Sequence, residues 1–183
     1  MIIKRLGLLL IPIMLLAACG DSGNSSEEVS EEGAEQDEDG LEIVVENLES
    51  PWSIARHDDT FYITERTGSI MRADSESAER QEMELSDEVS NASEAGLLGF
   101  VLSPDFEDSN EAYAYYTYEN EEGQFNRVVK LMLSDDTWSE DEILLDDIPS
   151  GQVHHGGRLA IGPDDHLYVT AGDAAEADLS QQV

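Results

Sequence analysis

The chain has 183 residues, of which 42 are Asp or Glu and 9 are Lys or Arg, so its formal net charge is −33 at pH 7. This charge excludes recognition of nucleic acid, or of an anionic membrane surface, by electrostatic attraction. Cys19 is the only cysteine, which excludes an intrachain disulfide, and the folded part must therefore be stabilised by its core.

The N-terminal residues have the pattern of a bacterial lipoprotein signal. Lys4 and Arg5 precede an apolar run over residues 6–18, which ends in small residues directly before Cys19. The run is short for a membrane-spanning helix. We interpret residues 1–19 as a lipoprotein signal peptide with lipidation of Cys19. This predicts an extracytoplasmic protein anchored to the bacterial cell membrane, and an uncleaved signal anchor is the alternative.

Residues 20–40 are predicted to be a disordered acidic linker. They include nine acidic residues, no basic residue and one sizeable apolar side chain, Val29. A segment of this composition cannot bury enough apolar surface to order itself. Its charges repel one another, so we interpret it as an extended tether between the membrane and the folded domain.

Residues 41–183 are predicted to form an all-β domain, because apolar and polar residues alternate in short runs between turn-forming residues. Three runs, at residues 61–64, 114–117 and 167–170, share a Tyr-x-Thr ending, and their threonines recur at intervals of 53 residues. Each run follows an apolar strand and a polar turn. A strand-rich repeat of about 50 residues is typical of β-propeller blades. Three unrelated hairpins of a β-sandwich are the alternative.

Three repeats predict about three blades, whereas propeller rings close with about 4 to 8. We therefore expect an incomplete β-propeller, the N-terminal portion of a longer protein. A propeller blade packs its faces against its neighbours. We accordingly expect poor solubility for these 183 residues expressed alone.

The segment from Gly151 to Asp173 contains the candidate site, with His154, His155 and Arg158 ahead of two apolar runs. A neutral histidine is a suitable general base near pH 7, and the planar fork of an arginine suits a carboxylate or an oxyanion. Adjacent residues of a strand point to opposite faces, so only one imidazole can face a cavity, and we predict no metal site here. A structural loop, with the arginine bonded to turn carbonyls, is the alternative.

Other polar and aromatic residues are given structural roles. We interpret Glu65 and Arg66 as a rim ion pair that contributes little stability. Trp52 and Trp138 are interpreted as blade-packing aromatics rather than as sugar-stacking ones. Three aspartates beside Pro or Gly are interpreted as turn formers that bond their own backbone; they are Asp105, Asp164 and Asp173.

Several blocks of the sequence, in order and spacing, resemble the soluble quinoprotein glucose dehydrogenases, also described as glucose/sorbosone or aldose sugar dehydrogenases. The blocks are residues 51–55, 62–72, 94–106, 154–159, 162–164 and 172–173. The resemblance runs from about Leu41 to the C-terminus and covers less than half of a usual family member. It implies a six-bladed propeller that binds pyrroloquinoline quinone (PQQ) at its centre and needs calcium, with a sugar or alcohol as substrate and an external electron acceptor.

The resemblance also implies residue roles. His154 corresponds to the general base that takes the proton of the sugar's anomeric hydroxyl, and Arg158 closes the same block. Glu94 stands where the family often has a substrate-contacting Gln, and Val153 where it can have an Asp, so an aldose other than glucose, or another alcohol, is favoured. Calcium ligands and most cofactor-gripping cations are expected beyond Val183. We therefore expect the chain alone to be inactive.

Two other functions stay open. The chain can belong to a non-catalytic propeller that binds carbohydrate or a protein partner, with the histidine block kept as architecture. A calcium-dependent lactonase-type hydrolase is the other, and it requires several metal-facing acids and Asn residues that the three repeats do not offer.

Overall fold

The computed structural model describes residues 42–178 and Ser180. The predicted signal peptide (residues 1–19), its lipidation site Cys19 and the predicted linker (residues 20–40) lie outside the described residues. Within the part of the chain that is described, no helix is both long enough and apolar enough to cross a membrane.

The described residues form ten strands and one short helix. In chain order these are β1 (Pro51–His57), β2 (Thr60–Glu65), β3 (Ser69–Ala73), β4 (Ala78–Glu84), β5 (Leu97–Leu102), α1 (Phe106–Ser109), β6 (Glu111–Asn120), β7 (Gly123–Ser134), β8 (Thr137–Pro149), β9 (Gly156–Ile161) and β10 (Leu167–Ala171).

The strands are grouped into three units. Strands β1 to β4 form an antiparallel meander, the first blade, and β5 to β8 form a second four-stranded blade. The outer strands β4 and β8 pair in parallel, which joins both blades into one eight-stranded sheet. Strands β9 and β10 form a separate antiparallel pair, the third hairpin. The predicted all-β, partial β-propeller fold is confirmed, with two complete blades and the first hairpin of a third.

Turn chemistry explains where these hairpins reverse. The turn between β7 and β8 consists of Asp135 and Asp136, whose φ angles are 49° and 61°. Two positive φ values at the tip of a hairpin suit the right-handed twist of its strands, and Asp tolerates this conformation better than most residues. Asp58 and Asp165, with φ angles of 51° and 60°, lie in the turns of the first and third hairpins.

The sequence repeat corresponds to the second strand of each unit, since its three threonines lie in β2, β6 and β10. In each unit, the hairpin formed by the first two strands also contains a register irregularity. In the first hairpin Thr64 Oγ1 accepts a hydrogen bond from the backbone N–H of Ser53, and in the third Thr170 Oγ1 accepts one from Arg158. The threonine thus satisfies a backbone donor that the irregular ladder leaves free.

The main core lies within the two blades. Trp138 is fully buried and donates its indole N–H to Gln81 Oε1 at 2.9 Å. Its ring packs against those of Tyr62, Phe100 and Phe106. The packing role predicted for Trp138 is therefore confirmed.

A smaller core cluster joins the second blade to the third hairpin. Leu98, Tyr115 and Val128 of the blade pack with Leu159 of β9, and Trp52 of β1 packs at its edge. The first strands of the three units are consequently neighbours, because β5 contacts both β1 and β9. This junction positions the candidate site.

Candidate active site

The histidine pair lies in the loop directly before β9, whereas the sequence pattern predicted that it lies in a strand. His154 has a φ of 64° and Gly156 a φ of 73°, and these left-handed conformations break strand geometry. The two imidazoles still differ in environment, because His154 is exposed and His155 is buried. Both residues belong to the lining of the pocket described below, and only His154 is exposed.

Glycines permit the close packing of this loop against the end of β10. A Cβ atom on Gly172 would collide with the carbonyl oxygen of His154, and one on Gly156 would lie 2.6 Å from the carbonyl carbon of Ala171. Both glycines are therefore required for the backbone approach that brings the loop beside Asp173.

His154 and Asp173 form a hydrogen-bonded dyad. The distance from His154 Nδ1 to Asp173 Oδ1 is 2.9 Å. This hydrogen bond is the main reason why the pKa of the Asp173 carboxyl lies below its ordinary value. An ionised carboxylate only accepts hydrogen bonds, so Nδ1 carries a proton, and in the neutral imidazole the lone pair is therefore on Nε2. The Nε2 atom of His154 is thereby prepared to accept a proton.

Glu94 fixes the backbone of the same histidine. Its Oε2 atom accepts a hydrogen bond of 2.9 Å from the backbone N–H of His154. The loop that carries Glu94 is in turn held by Arg66, whose Nη1 donates to the carbonyl oxygens of Ser93 at 2.6 Å and Ala95 at 3.3 Å. The structure therefore brings two of the predicted site residues, His154 and Glu94, to one place.

These residues line a pocket of about 370 Å³, here called the His154 pocket. Its lining consists of Trp52, Arg66, Ser93, Glu94, Leu98, His154, His155 and Gly156. One side offers an aromatic ring, and the others offer a cation, a carboxylate and a proton acceptor. This combination of groups suits a small polyhydroxylated ligand.

His155 supports the pocket from beneath. Its side chain is buried, its Nδ1 lies 3.0 Å from Ser150 Oγ, and its carbonyl oxygen accepts a 2.8 Å hydrogen bond from the Tyr115 hydroxyl. Burial lowers the pKa of this imidazole, so it is neutral at neutral pH. His155 is held as a structural residue, while His154 remains accessible.

Arg158 does not line the His154 pocket. Its guanidinium lies 4.2 Å from the centre of the Trp52 ring, and Nη1 is 3.5 Å from Ser53 Oγ. Trp52 therefore lies between the two predicted site residues of the histidine block: it lines the pocket and it stacks with Arg158. This half-buried ring combines the packing role predicted for it with a place in the pocket wall.

The predicted rim ion pair of Glu65 and Arg66 is wrong. Glu65 is fully buried and pairs with Arg80, with Nε–Oε2 and Nη2–Oε1 distances of 2.7 and 3.0 Å. The β3–β4 hairpin brings Arg80 against Glu65, whereas Arg66 turns toward the loop of Glu94. Sequence adjacency gave no signal for either contact, since both partners come from other segments.

The turn role predicted for the aspartates is confirmed for Asp164 and Asp173. Each carboxylate accepts a hydrogen bond from the backbone N–H two residues further on. Asp105 accepts hydrogen bonds from the hydroxyls of Ser103 and Ser109 as well as from its own backbone N–H. Sequence reasoning missed the second role of Asp173 as the partner of His154. The available signal was its position directly after the strand that pairs with the histidine block.

No group of three or more His, Cys, Asp or Glu side chains within residues 42–178 and Ser180 is arranged to hold a metal ion. Calcium ligands beyond Val183 stay a prediction.

Comparison with known proteins shows which family the sequence resembles. A profile of the Glucose / Sorbosone dehydrogenase family matches residues 48–183. The chain is 31% identical over 150 residues to quinoprotein glucose dehydrogenase B from Acinetobacter calcoaceticus, in a match that covers 75% of this chain and 31% of that protein.

Solved structures give the same result for the fold. The PQQ-bound aldose sugar dehydrogenase from Streptomyces coelicolor has a TM-score of 0.69 and 32% identity, covering 78% of this chain and 43% of that one. A glucose dehydrogenase-like oxidoreductase from Thermus thermophilus has a TM-score of 0.68 and 38% identity, covering 76% and 42%. The chain therefore spans less than half the length of these relatives.

Proposed function

Because this chain belongs to the glucose / sorbosone dehydrogenase family, as its sequence blocks indicated, we propose that it contributes the base-bearing part of a PQQ-dependent sugar dehydrogenase. The substrate is the anomeric hydroxyl of an aldose, or a related alcohol. The observation that carries the proposal is the His154–Asp173 dyad, whose Nε2 lone pair is available in a pocket that also contains Glu94.

The reaction requires a proton and a hydride to leave the substrate. His154 Nε2 takes the hydroxyl proton, and the Asp173 carboxylate, 2.9 Å from Nδ1, stabilises the imidazolium that forms. When bound, PQQ supplies the two-electron acceptor for the hydride, and an external acceptor then removes the electrons. The chain's own residues thus hold the proton and orient the alcohol.

Pocket residues account for substrate orientation. Trp52 offers an aromatic face on which a sugar ring can pack. Glu94 uses Oε2 to hold the His154 backbone, and its Oε1 atom accepts no hydrogen bond from the described residues, so it is available to a sugar hydroxyl. A carboxylate at this position favours a substrate that presents hydroxyl donors and disfavours one that presents an anion.

The residues present also fit an anionic cofactor in part. Arg66 lines the pocket, and no carboxylate of the described residues lies within 4.0 Å of it, although acids outnumber bases 42 to 9 in the chain. Both hydrogen bonds that the Arg66 side chain donates to described residues come from Nη1. The remaining guanidinium donors of Arg66 suit a carboxylate of PQQ. Further cations, and the calcium ligands, are expected beyond Val183.

The test is a substitution of the base. In protein that also carries the downstream blades and is loaded with PQQ and calcium, His154→Gln is expected to lower kcat for sugar-dependent dye reduction by about 10²- to 10⁴-fold. His166→Gln is the matched control, because His166 is an exposed histidine on the β9–β10 turn. Cofactor absorbance must be equal in both variants. Unchanged turnover in His154→Gln would show that His154 is not the base.

Length gives a second test of the same proposal. The chain covers 31% of its curated relative, so we expect the 183 residues alone to bind no complete cofactor and to reduce no dye. Sugar-dependent dye reduction by the purified chain would contradict this. Sugar binding without any turnover, in protein that also carries the downstream blades, would favour a non-catalytic carbohydrate-binding propeller.

Membrane attachment is the remaining part of the proposal. It is supported by the basic head, the apolar run and the small residues before Cys19. A Cys19→Ser variant is expected to move from the membrane fraction to the soluble extracytoplasmic fraction in cells. Membrane retention of this variant would indicate a signal anchor in place of a lipid.

A further inference from the structure

His155 is a buried titratable residue next to the proposed base, and the proposed reaction does not use it. The residue is 3% exposed, so the described residues already cover its ring almost completely. Residues beyond Val183 can therefore contact little of its surface. The surroundings of the ring are set by the second blade and by residues 150–155, which connect β8 to β9 and are here called the histidine loop.

Hydrogen bonds with the second blade place a proton on Nδ1 of this ring. Asn126 Nδ2 donates to the carbonyl oxygen of Pro149 at 3.2 Å, so the amide is oriented with Oδ1 toward His155. That oxygen only accepts hydrogen bonds, and it lies 3.3 Å from His155 Nδ1. Ser150 Oγ lies 3.0 Å from the same nitrogen. Nδ1 therefore carries a proton, and the lone pair of the neutral ring is on Nε2.

The Nε2 atom of His155 is buried and has no hydrogen-bond partner among residues 42–178 and Ser180. His154 has the same tautomer, but its side chain is exposed and can take a second proton from a ligand or from water. A second proton on His155 would create a buried, charged N–H group without an acceptor. Such a group costs much more free energy than a buried lone pair. The closed loop therefore disfavours the protonated ring.

The charged groups around the ring do not reverse this preference. Burial has the largest effect on the pKa of His155 and lowers it. The Glu94 carboxylate and the Gln152 backbone favour the protonated ring, whereas the charges of Arg66 and His154 disfavour it. The net result is a lowered pKa, in agreement with the hydrogen-bond geometry.

His155 also anchors the backbone of the histidine loop. Its carbonyl oxygen accepts hydrogen bonds from the Tyr115 hydroxyl at 2.8 Å and from the Gly172 backbone N–H at 3.3 Å. Burial raises the pKa of the Tyr115 phenol, so this group stays an uncharged donor. The backbone N–H of the preceding residue, His154, donates to Glu94. If the His155 ring leaves its site, the backbone that carries His154 moves with it.

We propose that His155 is an acid-sensitive anchor of the histidine loop: the neutral ring holds the loop against the second blade, and protonation releases the ring and opens the loop. The importance of this loop for proton transfer rests on the proposed function of His154. The anchoring itself does not, because it follows from the burial and the hydrogen bonds of His155 alone.

The sign of the pH dependence follows from the two states of the ring. The released ring titrates at its ordinary value of about 6.5, whereas the pKa of the held ring is lower. Above about pH 7 both states are neutral, and loop opening does not depend on the protonation of His155. Below about pH 6.5 the released ring binds a proton first, so the opening constant rises as pH falls, by at most about tenfold per pH unit.

Hydrogen exchange of the backbone amides in residues 150–156 measures this opening. The experiment uses protein that also carries the downstream blades, and each rate is corrected for the intrinsic exchange rate at that pH. We expect the opening constant of the wild type to rise by about five- to tenfold from about pH 7.5 to about pH 5.5.

Variants assign the pH dependence to His155. His155→Asn keeps an N–H donor near the position of Nδ1 and cannot be protonated, so its opening constant should change by less than about twofold over the same interval. His166→Gln is the matched control, because it removes an exposed histidine from the β9–β10 turn and should keep the pH dependence of the wild type. If His155→Asn does not fold, by circular dichroism, His155→Gln replaces it as a second uncharged variant.

Nitrogen NMR of protein labelled with ¹⁵N-histidine tests the state of the ring directly. The signal that is absent from the His155 variant identifies His155. We expect a neutral ring with its proton on Nδ1 at about pH 7, and a titration midpoint below the ordinary value of about 6.5.

Three results would overturn the proposal. The first is an opening constant that rises equally in the wild type and in the His155 variant. The second is a proton on Nε2 of the neutral ring, and the third is a titration midpoint at or above about 6.5. Unchanged turnover in His154→Gln would instead reject the proposed function and leave the anchor intact, because hydrogen exchange does not depend on turnover.

Discussion

The two complete blades and the third hairpin differ in how much side chain they bury. The blades contain nearly all of the buried apolar residues, whereas in β9 and β10 only Leu159 is a buried hydrophobic residue and Tyr168 is 55% exposed. The loops at the end of this sparsely buried hairpin nevertheless carry His154 and Asp173. Within the described residues, the apolar core and the proposed site therefore lie in different units, which contact each other through β5 and β6.

The largest expected effect belongs to the first blade. Arg80→Ala leaves the fully buried carboxylate of Glu65 without its charged partner. Arg80 is 39% exposed, and Ser69 and the Glu49 backbone still donate to Glu65, so the free energy of unfolding should fall by about 3 kcal/mol. Urea denaturation measures the change. Arg56→Ala is the control, because it cuts an exposed pair and should cost at most about 0.5 kcal/mol. Similar losses in the two variants would show that the buried pair is not a stabilising element.

The same pair predicts how stability depends on pH. Burial alone would raise the pKa of Glu65, but hydrogen bonds from Arg80, the Glu49 backbone and Ser69 outweigh it, and the net pKa is lowered. A lowered folded pKa means that the contribution is complete above the unfolded value of about 4.3 and is lost as pH falls through the folded value. The difference in stability between wild type and Arg80→Ala should therefore shrink from about pH 7 to about pH 3. A constant difference would contradict this assignment.

The next effect tests the third hairpin by activity rather than by stability. In protein that also carries the downstream blades, Asp173→Asn removes the charge proposed to stabilise the His154 imidazolium and allows the wrong tautomer, so kcat should fall by about 100-fold, or roughly 2.7 kcal/mol in the barrier. Because Asp173 lies outside both core clusters, the urea midpoint should change little. A large loss of stability with normal turnover of the folded fraction would reverse the division of roles described above.

The same division explains what could be predicted from the sequence. The propeller repeat was visible because strand alternation and turn residues are local, and Tyr62, Tyr115 and Tyr168 recur in them. His154 and Glu94 could be named from short blocks. Their contact could not be predicted from local pattern, because 60 residues separate them and the contact uses a backbone N–H.

Pairs of charged residues from distant segments could not be predicted from the sequence either. Glu65 has a basic neighbour at residue 66, but the strand order gives it Arg80 and sends Arg66 to the Glu94 loop. Arg158 lies four residues after His154, yet Trp52 from β1 separates it from the pocket. Strand ladders and register irregularities decide these partners, and both depend on pairing between distant segments.

The smallest effect tests the junction between the blades and the hairpin. The buried hydroxyl of Tyr115 donates to the His155 carbonyl oxygen at 2.8 Å, and burial raises the pKa of this phenol, so it stays a donor. Tyr115→Phe should lower the free energy of unfolding by about 1 kcal/mol. Tyr113→Phe, on the same strand, is the matched control and should stay within about 0.5 kcal/mol.

Turnover decides whether this junction positions the base or only adds stability. In Tyr115→Phe the His155 carbonyl keeps only the 3.3 Å hydrogen bond from the Gly172 backbone, so the loop that carries His154 is held less firmly. In protein that also carries the downstream blades, Tyr115→Phe should therefore lose several-fold in kcat, whereas Tyr113→Phe should not. Equal kcat in the two variants would mean that the Glu94 and Asp173 contacts are sufficient to position His154, and that the blades support the hairpin through apolar packing at Leu98 and Leu159 alone.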